Sequence, residues 1–207
     1  MGANCCDHDH GCAGDRQPPP AYRRVLVIAL LVNAAMFGVE VLAGVSAGSV
    51  SLLADSLDFL GDAGNYGISL WVLGMGVVAR ARASLLKAVT MAAFGAGVLA
   101  TALWNLSHGG VPDAPTMGLI GGLALLANVG VAVLLYAWRD GDSNMRSVWL
   151  CTRNDAIGNL AVMAAALGVF GTGTAWPDLI VAAIMASLAL SASVQIIRQA
   201  RRELATA

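Results

Sequence analysis

Residues 49–70 read SVSLLADSLDFLGDAGNYGISL. Three acids, Asp55, Asp58 and Asp62, interrupt an otherwise apolar run that contains no Lys or Arg. At about 100° per residue, this spacing puts all three on one face of a helix. In hydrocarbon, each ionised Asp at a helix centre costs about 2.5–3.5 kcal/mol by insertion scales. That face must therefore look into a bundle of helices. Gly61, Gly64 and Gly67 in the same run would let a neighbouring helix come close.

The rest of the chain says what surrounds such a bundle. Of 207 residues, 57% are hydrophobic and 12% are charged, too little polar surface to cover a water-soluble globule. The net charge of −1 and the lack of a basic block give no reason to expect nucleic acid as a partner. Six apolar segments separate at roughly 23–44, 50–75, 84–106, 116–138, 146–171 and 175–197, each near the ~20 residues that cross a bilayer. The expected fold is an all-α membrane protein, a six-transmembrane-helix bundle. It divides into a flexible tail (1–21), a transmembrane domain (22–200) and a short C-terminal tail (201–207).

Basic residues orient the bundle. Arg16, Arg23 and Arg24 precede the first segment, Arg80, Arg82 and Lys87 fall at the second link, Arg139 and Arg146 at the fourth, and Arg198, Arg201 and Arg202 follow the last segment. The alternate links carry none, and the one basic residue outside this pattern, Arg153, lies inside segment five. By the positive-inside rule both termini are expected in the cytoplasm of a multi-pass protein, most simply one of a bacterial inner membrane.

The fifth segment carries a second polar face. In VWLCTRNDAIGNLAVMAAALGVF (148–170), Cys151, Asp155 and Asn159 follow one another at four-residue spacing. Segments two and five run in opposite directions, which sets Asp58 opposite Asp155 and Asp62 opposite Cys151, with a depth mismatch of about one turn. Carboxylates and one thiolate around a point suit a tetrahedral ion such as Zn²⁺. The bland alternative is a structural network of buried acids, and for Cys151 a small packing residue. Asn33 and Glu40, seven apart on segment one, and Asp55 and Asn159 are candidates to support the site or pass protons. Helix–helix hydrogen bonding competes for Asn33 and for Asn128 of segment four, and for Glu40, near the outer end, exposure to water is the competing reading. Asp178 reads as a helix N-terminal carboxylate. His108 has no evident partner.

The tail, MGANCCDHDHGCAGDRQPPPA, gathers Cys5, Cys6, His8, His10 and Cys12 before Pro18–Pro20. These ligands can take soft or borderline ions, but their spacing matches no closed zinc module. An unstructured tail with incidental metal affinity is the competing reading.

The quoted stretch of segment two, the Cys151/Asp155 pair of segment five and AWPDLIVAAIMASLAL (175–190) together resemble the cation diffusion facilitator, or cation efflux, family over residues ~22–200. The resemblance implies a metal–proton antiporter rather than an enzyme, with Asp58, Asp62, Cys151 and Asp155 as metal ligands. In that family the position of Cys151 is usually His, so a more thiophilic ion is implied here. It also implies a short member without the cytosolic ferredoxin-like domain that many carry. Zn²⁺ is the expected cargo, with Cd²⁺ and Co²⁺ close, and no prosthetic group is implied. Monomer and homodimer both stay open. Two rivals remain: a membrane-anchored metal sensor or store, and an intramembrane aspartyl protease. The latter has only Gly61-Asp62 in its favour and Phe59 against it.

Overall fold

The structure, a computed structural model, describes residues 20–71, 77–137 and 143–206; the side chains of 20, 69, 77, 80, 143–154 and 206 lie outside that description. Six helices follow in order: α1 Pro20–Ala47, α2 Val50–Trp71, α3 Val77–His108, α4 Ala114–Tyr136, α5 Ser143–Thr172 and α6 Trp176–Thr206. Among the described residues there is no strand. Each helix lies on its sequence segment, but α3 and α6 run further than their apolar stretches. With 32 residues α3 is about 48 Å long, more than the ~30 Å of hydrocarbon. Arg82 and Lys87 sit within it rather than in a link.

Short links stop the helices cleanly at one end of the bundle. Gly48 and Gly173 adopt positive φ, 66° and 64°, the left-handed conformation that closes a helix without a Cβ penalty. Ser49 N–H donates back to Gly44 C=O at 2.9 Å, and Gly173 N–H to Val169 C=O at 2.8 Å. Asp113 caps α4 by accepting from Thr116 N–H at 3.0 Å, and its own N–H bonds Ala47 C=O, which fastens the α3–α4 link to the end of α1. The Thr116 bonds hold the Asp113 carboxyl below the usual carboxylate range. We call this the glycine-turn end; the first residues of α1 and the last of α6 lie at the opposite, terminal end.

Asp178 lies in the first turn of α6, as the sequence suggests, but the helix it caps is another one. Its carboxylate accepts from Ser49 Oγ (2.7 Å), Val50 N–H (2.8 Å) and Ser51 N–H (3.0 Å), the opening of α2. A local helix-start pattern cannot reveal which N-terminus a carboxylate will serve when two helices begin side by side.

Helix α2 is the hub, packed against α1, α3, α5 and α6. By length and composition α1, α3, α4, α5 and α6 each qualify as membrane spans. Helix α2 falls outside that group because its three Asp make it too polar to cross lipid alone. Surrounded by four other helices, it need not. The bundle is apolar outward and polar inward: Leu42, Leu119, Leu167 and Phe170 are at least 74% exposed, while Glu40, Asp55 and Asn159 are 0% exposed. Such inversion identifies lipid as the solvent of the outer surface. This is an all-helical, multi-pass membrane architecture.

Candidate functional site

A layer of polar side chains crosses the bundle between two apolar clusters. On the glycine-turn side lie Leu52, Leu57, Val162 and Met185, and on the terminal side Tyr22, Leu26, Tyr66 and Leu135. Three turns of α2 supply Asp55, Asp58 and Asp62, and the periodic face predicted for them is the inward one: Asp55 is 0% and Asp62 5% exposed. Asp58 between them is partly buried.

From α5, partly buried Asp155 brings its carboxyl into hydrogen-bonding contact with Asp62, with Asp58 and then Asp55 the next charges it feels. The contact is one turn away from the Asp58–Asp155 alignment obtained by counting from helix ends. Segment ends read from sequence do not mark helix ends to within a turn, since α5 begins at Ser143, ahead of its apolar stretch. On the same face of α2, Tyr66 Oη donates to Asp62 Oδ2 at 2.8 Å. Its signal was present in the sequence, since 66 stands four residues from 62. Helix α5 passes directly beside these acids: a methyl group on Gly158 would stand in ordinary van der Waals contact, 3.6 Å from Asp58 Oδ2 and 3.9 Å from Asp55 Oδ1.

One turn along α5, Asn159 builds a second feature. Its Nδ2 donates to Asp55 Oδ2 at 2.7 Å, while its Oδ1 accepts from Asn128 Nδ2 of α4 at 2.9 Å. Glu40 of α1 faces Asp55 across the α1–α2 contact, carboxyl against carboxyl. Helices α1, α2, α5 and α4 thus meet through one buried polar row. Asn33, grouped with Glu40 by periodicity, is buried but turns its Nδ2 to Ala29 C=O of its own helix at 2.8 Å. It stays out of the row.

Lys87 was missed as a neighbour of this region. Its stem passes over Gly64, where a methyl group would come within 3.0 Å of its Cδ, and its Nζ donates to Asn65 Oδ1. A basic residue assigned to a link by charge counting therefore reaches α2 one turn beyond Asp62. His108 stacks on Trp104, ring centroids 4.2 Å apart, far in sequence from the acids.

Cys151 belongs to α5, but its side chain lies outside the described residues, as do Cys5, Cys6, His8, His10 and Cys12 of the tail. Among the described residues no group of three or more His, Cys, Asp or Glu side chains stands close enough together to hold a metal ion. What stands together is the Asp62–Asp155 carboxyl contact with Asp58 beside it. The arrangement can hold positive charge between two helices at the depth where lipid surrounds the bundle. The family model for the cation efflux transmembrane domain matches residues 26–205, which takes in α2 to α5 whole and most of α1 and α6.

Proposed function

The chain belongs to the cation efflux family and is a cation efflux transporter; on that premise we propose that it exports a divalent metal ion, Zn²⁺ foremost with Cd²⁺ and Co²⁺ as close alternatives, in exchange for protons. The observation that carries this reading is the contact of Asp62 and Asp155, one carboxyl from each of two helices. Two carboxylates held together away from bulk water need a cation or a proton between them. A metal ion and protons then compete for the same oxygens, and that competition is the coupling.

Asp58, Asp62 and Asp155 act as ligands, and Cys151, one turn from Asp155 along α5, completes the set as a thiolate. A sulfur ligand favours Zn²⁺, Cd²⁺ and Co²⁺ over Fe²⁺ or Mn²⁺. Tyr66 anchors Asp62 through Oδ2 and so fixes the orientation of its carboxyl. Transport follows as the helices rock around this layer and open it to either face in turn. The terminal end, where the basic residues collect, is the cytoplasmic one. The Cys5–Cys12 tail would then meet metal before export.

Purified protein in sealed vesicles with a trapped metal-sensitive dye tests the proposal. Zn²⁺ flux that rises with an opposing pH gradient, and that disappears in Asp155→Ala, is the expected result. Flux indifferent to the gradient removes the antiport, and binding without any flux favours a sensor or store. Metal panels on wild type and Cys151→His decide the thiolate: an unchanged ion preference removes Cys151 from the ligand set.

A further inference from the structure

Glu40 is fully buried in a bundle that offers it no counter-charge on its own helix face. It is 0% exposed, and neither Oε1 nor Oε2 receives a hydrogen bond. Opposite stands Asp55, also 0% exposed, with Oδ2 held by Asn159 and Oδ1 without a donor. The two carboxyls face each other as acceptor against acceptor, and the next charge Glu40 feels is the acid Asp58. Three carboxylate oxygens are therefore buried in one place with nothing donating to them. Buried acceptors are rarely left so, and buried charge still less.

A single shared proton can bridge one oxygen of each carboxyl. It leaves the second Glu40 oxygen bare and one negative charge uncompensated. A divalent cation takes all three oxygens and cancels both charges. The donor set is oxygen alone, with no nitrogen or sulfur, the chemistry preferred by Mg²⁺, Mn²⁺ and Ca²⁺ over thiophilic ions.

We infer that Glu40 and Asp55 form a second cation site of hard oxygen ligands, separate from the Asp58–Asp62–Asp155 cluster and nearer the glycine-turn end, which binds a divalent cation. Asp55 precedes Asp62 by two turns of α2, about 10 Å along its axis, so an ion here does not share ligands with the Asp62–Asp155 contact. Asn159 holds Oδ2 of Asp55 and leaves its buried Oδ1 without a donor. In the transport reading, on which only this last point rests, the site gives a departing ion a stopping place before the glycine turns.

Binding of Mn²⁺ to the purified full chain, followed by electron paramagnetic resonance, tests the site without any need for flux. The background is Asp62→Asn with Asp155→Asn, which removes the other cluster. In it we expect one Mn²⁺ to remain bound, to be displaced by excess Mg²⁺, and to be weakened at least tenfold by Glu40→Gln, an isosteric change. Asp55→Asn should weaken it similarly and serves as the second variant should Glu40→Gln not fold, as judged by helical circular dichroism and gel filtration. No Mn²⁺ bound in the background, or affinity unchanged by both substitutions, overturns the inference and leaves the pair with a shared proton. Flux of the wild-type protein is recorded in parallel: its absence would sink the transport reading and leave the binding result standing.

Discussion

Asp62 and Asp155 form one carboxyl pair and Glu40 and Asp55 another, two turns apart along α2, and their surroundings differ. The first is supported by a phenol, Tyr66 on Asp62, and has a partly buried member, Asp155. Around the second, both acids are 0% exposed and one amide, Asn159, is the support. The same chemical contact thus occurs once with a partly buried acid and once with both acids fully buried. That contrast teaches that burial of an acid in a membrane bundle is not one property: its donors and access decide what it can hold.

The largest effect separates the pairs by function. Asp155→Ala should lower Zn²⁺ flux in vesicles by more than about 100-fold, beyond the loss expected for a supporting hydrogen bond at a metal site. Flux that survives this change would mean that the pair is structural. Next comes the support of the sealed pair. Asn159→Ala removes the amide from Asp55 and should lower stability by about 2 kcal/mol, read by denaturant titration in detergent. A neutral outcome would show that water replaces the amide and that the pair is less sealed than its burial implies.

Tyr66→Phe is the matching probe on the first pair. Loss of one hydroxyl should weaken metal binding about fivefold, roughly 1 kcal/mol, with little change in fold. Smaller again is Asn128→Ala, which touches Asp55 only through Asn159. About 0.6 kcal/mol of destabilisation is expected, the average for a hydrogen bond between membrane helices. The smallest effect belongs to an acid outside both pairs. Because the Asp113 carboxyl is held below its usual range by Thr116, its stabilising contribution is present at neutral pH and fades as pH falls through that lowered value. Asp113→Ala should therefore reduce melting temperature slightly at neutral pH and not in strong acid.

Much of the bundle was legible because lipid imposes a plain code. A polar face on an apolar helix must turn inward, and 55, 58 and 62 say so by spacing alone. Inter-helix register was less readable. Counting from segment ends set Asp155 against Asp58, whereas it meets Asp62, since α5 extends beyond its apolar stretch and charge marks where lipid stops rather than where a helix stops. For the same reason Lys87 was placed in a link although α3 carries it to Asn65. Asn33 and Glu40 look equivalent by periodicity, yet one satisfies its amide on its own backbone and the other meets Asp55. That choice depends on the neighbour, which a single helix does not encode.

The Asp178 carboxylate, clasping the first residues of α2 from the first turn of α6, has a mechanical consequence. Three hydrogen bonds from one side chain make the beginnings of these two helices a single pivot at the glycine-turn end. Any swing that opens the polar layer toward that end must carry α2 and α6 together. The other neighbours of α2 are α1, α3 and α5, and two of these, α1 and α5, carry the carboxyls that its acids meet.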